Sequence, residues 1–201
     1  MRVFRQKIIF LSVFMFIFSI YLMAQDSHSA FFEQSLKTQN TGMYILGSWA
    51  ILNITTGAYG WATYEGQHMY FNQMNMFWNV VNLSIAGAAL YGNHSLDVFS
   101  LNNEIMIEKH INTEHILLLN AGLDLGYIGI GFLLNHLSGK YPKNETILNG
   151  YGNSLLLQGG FLLVFDAVLY GVLHMQRVQF LENINLSLAP NGLGIQMILT
   201  L

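Results

Sequence analysis

The chain has 201 residues, 53% of them hydrophobic and 9% charged, a formal net charge of −3 and no cysteine. An ordinary soluble domain is about a quarter charged, so this composition reads as an integral membrane protein with room for one membrane domain and no second globular one. No basic stripe is present to neutralise phosphates, which excludes nucleic acid as a partner, and the lack of cysteine excludes disulfides, thiolate metal sites and cysteine nucleophiles.

Arg2, Arg5 and Lys7 precede the apolar stretch Ile8 to Met23, and Ala24-Gln25 places a small residue before a polar switch, so residues 1–24 read as an export signal peptide. An uncleaved signal anchor is the alternative, favoured by the long apolar region and by Leu22. In both cases Gln25 starts outside the cytoplasm. Residues 25–41, with Glu33, Lys37 and the apolar pair Phe31-Phe32, read as an external lead-in or short surface helix.

Four transmembrane helices are expected at 42–62, 71–92, 115–137 and 151–174, each near the roughly 20 residues that cross about 30 Å of hydrocarbon at 1.5 Å per residue. They make an all-α membrane domain over 42–177, a four-helix bundle of two helical hairpins. Loops 63–70 and 138–150 would then be cytoplasmic; Lys140 and Lys143 agree, but Lys37, Lys109 and Arg177 lie outside, so orientation rests on the export signal. In the outer loop, Val98, Leu101, Ile105 and Met106 alternate with Glu104, Glu108 and Lys109 at helical spacing, which predicts a short amphipathic helix at the interface.

After Arg177 the period changes. Ile184, Leu186 and Leu188, the turn Pro190-Asn191-Gly192, and Leu193 to Leu201 predict a C-terminal β-hairpin over 178–201. An outer-membrane barrel is the rival fold, but its strands need polar residues at every second place, and Ile116 to Leu119 and Phe161 to Phe165 are continuous apolar runs.

The spans also hint at a duplication. An offset of 71 places Asn53 on Asp124 and Gly60 on Gly131, and an offset of 79 places Asn79 on Gln158 and Ala89-Leu90-Tyr91-Gly92 on Val168-Leu169-Tyr170-Gly171. Chance resemblance between apolar stretches explains this equally well.

Two carboxylates inside apolar runs are the main functional signal. Counted from the outer ends of their spans, Asp124 and Asp166 lie at similar depth, about 12 to 14 Å inside. Each would cost about 2.5 to 3.5 kcal/mol to insert in charged form, so both should face the bundle interior. With Asn53 and Asn82 near the same level, a polar layer drawn from all four helices is expected, and neighbouring carboxyls there would share a proton or hold a cation. Asn120, Asp124, Tyr127 and Gly131 share one face of span three, and Gly122, Gly126 and Gly129 form a second stripe suited to close helix approach. Span four repeats Gln158, Leu162, Asp166, Tyr170 and His174 at steps of four, and span two carries the amide ladder Asn72, Asn75, Asn79 and Asn82. The plainer reading of such amides is interhelical hydrogen bonding.

His94, His115 and His174 are placed at the outer end, and His68 and His136 at the inner end, where they could serve a metal or a haem. No HxxxH or HExxH spacing supports this. No nucleophile elbow, phosphate loop or zinc-enzyme motif occurs, so no catalytic residue and no cofactor is assigned.

Four stretches, Gly47 to Asn53 (GSWAILN), Gln73 to Asn82 (QMNMFWNVVN), Leu119 to Tyr127 (LNAGLDLGY) and Gln158 to Asp166 (QGGFLLVFD), resemble a bacterial family of small four-helix integral membrane proteins of uncharacterised function. The resemblance runs over about residues 42 to 177 and implies architecture alone. The first functional expectation is binding or conduction of a small cation or proton at Asp124, Asp166, Asn53, Asn82, Asn79, Asn120, Tyr127 and Gln158, in an oligomer or membrane complex. The second is a structural or assembly protein whose amides lock the bundle, and the third a haem- or metal-binding membrane protein.

Overall fold

The computed structural model describes the backbone of residues 2–188 and the side chains of residues 27–184. Four long helices account for most of it: α1, Arg2–Thr63; α2, Gly66–His94; α3, Asn103–Ser138; and α4, Glu145–Leu188. The described residues contain no strand.

Local chemistry sets the breaks. Between α1 and α2 the chain reverses at Tyr64-Glu65, and Gly66 adopts a φ of 59°, a left-handed conformation open to glycine at little cost. The α2–α3 connection holds a 3-10 turn at Val98–Ser100, where the Asp97 carboxylate accepts from the Phe99 N–H at 3.2 Å. Asn102 then caps α3 by accepting from the Ile105 N–H at 2.8 Å. Pro142 opens a second 3-10 turn, Pro142–Asn144, that leads into α4 with Glu145 in its first turn, where a negative charge complements the helix dipole.

The helices run alternately up and down, with α4 between α3 on one side and the α1–α2 hairpin on the other. Side chains far apart in sequence record the register: Asn93 Nδ2 donates to Asn40 Oδ1 at 2.8 Å, and Gln176 Nε2 to Thr38 Oγ1 at 2.8 Å. Beyond the end of α2, the helices α1, α3 and α4 continue as an extension. There Phe32 and Leu36 of α1 close against Val98 and Met106, the last fully buried.

Within the four-helix part the polarity is inverted. Asn53, Asn75, Asn79, Asn82, Asp124, Gln158 and Asp166 are buried, while Ile51, Leu52, Phe77, Val81, Leu125 and Phe132 are exposed on the outside. Among the described residues two helices, α3 and α4, are long and apolar enough to cross a membrane, with mean hydropathy of 1.7 and 1.8 over their best windows. Amides, threonines and glycines such as Asn53, Thr55, Thr56 and Gly57 dilute α1, and the amide ladder dilutes α2.

Several sequence expectations change. Residues 25–41, expected as an external lead-in or short surface helix, are helical within α1, which buries Phe31 and Phe32. The amphipathic helix of the outer loop is the beginning of α3 itself, anchored by Met106 against α1. The expected C-terminal hairpin is replaced in its first strand by helix: α4 continues to Leu188, helped by Phe180, which stacks on Phe31 at 4.3 Å. Once a helix is nucleated, each further turn is cheap, and an alternation as short as Ile184 to Leu188 does not compete. The turn at Pro190 and the second strand lie outside the described residues. The stripe Gly122, Gly126, Gly129 makes no close approach, since nothing lies within 4 Å of a Cβ built at any of the three. The close approaches fall on other glycines: Gly57 and Gly60 against Asn72, Gly131 against Gly152, and Gly159 against Asp124. Gly60 and Gly131, superposed by the offset of 71, thus both sit where their hairpins draw tightest.

Candidate functional site

The buried polar groups form three clusters along α4. The first is an amide circuit across α1, α2 and α4. Asn75 Nδ2 donates to Asn53 Oδ1 at 2.7 Å, Asn53 Nδ2 to the Trp49 carbonyl at 2.8 Å, and Trp49 Nε1 to Gln158 Oε1 at 3.1 Å. Gln158 Nε2 closes the ring by donating to Asn75 Oδ1. Asn79 donates to the Asn75 carbonyl at 2.8 Å, and Asn82 to Asn79 Oδ1 at 3.3 Å. Stacking of Trp49 on Phe161, with ring centres 3.9 Å apart, holds the indole in place. Low dielectric strengthens such bonds and makes an unpaired member costly.

The second cluster is the carboxyl pair. Asp124 of α3 and Asp166 of α4 are 2% and 5% exposed and lie close enough to interact with each other. Asp124 Oδ2 is buried with no hydrogen-bond partner. The helices can approach here because Gly159 lacks a side chain: a Cβ on it would lie 3.0 Å from the Asp124 carbonyl oxygen. Leu162, packed with Leu46 and Ala86, lies on the amide-circuit side of Asp166 along α4, and Leu117, Leu169 and Leu173 lie towards the extension.

Of the expected layer of Asn53, Asn82, Asp124 and Asp166, Asn53 belongs to the amide circuit. The eight residues from Gln158 to Asp166 correspond to about 12 Å along α4, so the circuit and the carboxyls occupy different levels, while Asn82, seven residues beyond Asn75 on the parallel α2, comes near the level of Asp166. Of the other expected site residues, Tyr127 meets Trp78 edge-on at 4.6 Å, and Asn120 is half-buried one turn before Asp124.

The third cluster lies in the extension and was not foreseen. Arg177 binds Glu114 with two nitrogens, Nε to Oε1 at 2.9 Å and Nη2 to Oε2 at 3.0 Å. His110, fully buried, places Nε2 3.1 Å from both Glu114 Oε1 and the Leu173 carbonyl, and Nδ1 2.7 Å from Ser35 Oγ, which accepts from Gln39 Nε2 at 3.1 Å. His174 Nδ1 lies 3.1 Å from Arg177 Nη2 and 3.4 Å from Glu114 Oε2. Desolvation pushes the His110 pKa below its ordinary value despite the nearby Glu114. Burial alone would raise Glu114, but the hydrogen bonds and charge of Arg177 outweigh it and hold the carboxyl below the usual range.

The third cluster escapes a linear reading because its members come from three helices, at positions 35, 110, 114 and 177. The available signal was the i, i+4 pair His110 and Glu114 at the start of an apolar run. The histidine candidates do not converge: His94 and His115 are exposed, only His174 joins this cluster, and no group of three or more His, Asp or Glu is placed to hold a metal ion among the described residues.

Fold and site together define an all-helical protein with outward-facing apolar residues and buried amide and carboxyl clusters. The chain belongs to DUF6992, a family of unknown function, whose pattern matches residues 45–167. That match covers the amide circuit, the carboxyl pair and, of the ionic cluster, His110 and Glu114, but not Ser35, His174 or Arg177. No curated protein and no solved structure matches the chain.

Proposed function

We propose that this is a multi-pass protein of a bacterial inner membrane whose Asp124–Asp166 pair binds a proton. The carrying observation is the meeting of two buried carboxyls, one oxygen of which has no partner. Two neighbouring like charges in a medium of low dielectric do not readily persist together, and a shared proton relieves the repulsion and offers a hydrogen bond to the unpartnered oxygen.

The surface supports the membrane part of the reading. Between the ends of the four-helix part the outside presents Ile, Leu, Val and Phe, whereas the exposed Tyr and Trp among the described residues fall at two levels: Tyr44 and Tyr91 at one end, and Tyr59, Trp61, Tyr64 and Tyr141 at the other. Tyr44 and Trp61, 17 residues apart on α1, are separated by about 26 Å, matching the aromatic belts that flank a hydrocarbon core. The spans at 42–62, 71–92, 115–137 and 151–174 fall between these levels or close to them, with the extension outside. Basic residues Arg2, Arg5 and Lys7 before an apolar stretch favour an exported N-terminus and put the extension on the outer face.

A structural role suits the amides better. Their circuit is closed, with Asn53, Asn75, Gln158 and Trp49 each engaged, so it locks α1, α2 and α4 together. Four helices enclose little space, so conduction, as opposed to binding, would need an oligomer.

The test is infrared titration of the purified protein in lipid between about pH 8 and pH 5. A protonated-carboxyl band that is altered in both Asp124→Asn and Asp166→Asn is expected. Its absence from the folded wild type, or its persistence unchanged in both variants, would overturn the reading. Sodium or potassium uptake by vesicles that vanishes in either variant would make the ligand a metal cation instead.

A further inference from the structure

His110 joins all three helices of the extension. Its Nε2 faces two acceptors, Glu114 Oε1 on α3 and the Leu173 carbonyl on α4, so the neutral ring carries its proton on Nε2. Nδ1 is then the acceptor for the Ser35 hydroxyl of α1, and Ser35 in turn accepts from Gln39. The donors run one way, from Gln39 through Ser35 and His110 to Glu114, which Arg177 approaches from the other side.

Leu173 makes this more than a structural tie. Its carbonyl holds His110, and its fully buried side chain, with Leu117 and Leu169, forms the apolar layer between the extension and the carboxyl pair. One residue thus belongs both to the histidine's hydrogen-bond set and to the cover over Asp124 and Asp166.

We propose that His110 is a positioning residue that keeps the Leu117–Leu169–Leu173 layer closed over the carboxyl pair, and that its protonation opens the layer to water from the extension. As a regulator of a proton site, this rests on the reading of the Asp pair given above. A second proton on the ring falls on Nδ1 and turns the acceptor for Ser35 into a donor, although the Ser35 oxygen already takes the Gln39 N–H. The new charge sits at a place with no water contact. The charged or titratable groups that face it are Glu114 on α3 and Arg177 and His174 on α4; α1 contributes Ser35, Gln39 and Phe31, whose ring lies 4.8 Å from the imidazole. Glu114 is the one counter-ion, and both its oxygens are held by Arg177. Hydration is the remaining way to stabilise the cation. It requires α1 and α4 to part from α3 at Leu173.

The absence of native cysteine makes the test direct. Single cysteines are placed at Leu169 in the layer, at Leu162 in the opposite layer, and at exposed Ser95 to correct for thiolate fraction, and the protein in lipid nanodiscs is labelled with a charged thiosulfonate. Relative to Ser95→Cys, the labelling rate of Leu169→Cys should rise about tenfold between about pH 7.5 and pH 5, while that of Leu162→Cys stays flat. His110→Gln should abolish the rise. A rate at Leu169→Cys that ignores pH, or a rise that survives His110→Gln, would sink the proposal. If His110→Gln does not fold, Glu114→Gln must shift the rise to lower pH by removing the counter-ion, and an unshifted curve overturns the idea equally. The rise must also persist in Asp124→Asn; its loss there would assign control to the carboxyls. Labelling does not require the pair to bind protons, so a failed infrared titration leaves this result standing or falling on its own.

Discussion

Arg177 holds Glu114 through two nearly parallel hydrogen bonds of 2.9 and 3.0 Å, and the carboxylate is only 3% exposed. Removing one partner of such a pair strands a buried charge, so Glu114→Ala should cost about 3 kcal/mol or more, whereas Glu114→Leu combined with Arg177→Met should recover most of the loss. Denaturant unfolding in detergent of the single and double variants measures the difference.

Acid should weaken the extension in a defined window. The folded-state pKa of His110 lies below its reference value of 6.5, so on acidification the unfolded chain takes up the proton first. Stability is therefore full above about pH 6.5 and falls as pH drops from there towards the folded pKa. Glu114, whose pKa is also lowered, adds a second loss that begins near its reference value of 4.5 and grows as pH falls further. Thermal unfolding at several pH values should show both phases, and His110→Gln should remove the first.

The carboxyl pair should behave in the opposite sense to the ion pair. Asp124→Asn keeps a hydrogen-bonding group against Asp166 and removes a like charge, so the variant should be as stable as the wild type or more stable by about 1 kcal/mol. A large destabilisation in an unfolding titration would show that the pair is a structural keystone.

Glycines should divide by contact. A Cβ on Gly150 would lie 2.6 Å from Tyr70 Cβ and 2.7 Å from the Gln67 carbonyl oxygen, so Gly150→Ala should cost about 1 to 3 kcal/mol. Gly126 meets nothing within 4 Å, and Gly126→Ala should be neutral or stabilise by up to about 1 kcal/mol through helix propensity. Melting temperatures of the two variants provide the comparison.

Much of the fold was legible because apolar runs of membrane length force helices, and because Asp124 and Asp166 are conspicuous inside them. Their mutual approach could not be read. It depends on the rotation of α3 and α4 about their axes, which is set by Gly131, Gly152 and Gly159 at the contact. The same missing information made Gly122, Gly126 and Gly129 look like a contact stripe and put Asn53 at the level of the carboxyls. In the extension, Asn103 to Glu114 is too polar to read as part of a span, yet Met106 and His110 are fully buried there. Three helices shield those turns, and no window of local sequence contains all three.

The place of α4 has a mechanical consequence. This one rod carries Gln158, Asp166, Leu173 and Arg177, so it touches the amide circuit, the carboxyl pair, the apolar cover and the ionic cluster in turn. It cannot slide or rotate at one of these levels without loading the others. Strain introduced where Arg177 meets Glu114 is carried along a stiff helix to the level of the carboxyls. Two hairpins that barely meet elsewhere are geared together through α4.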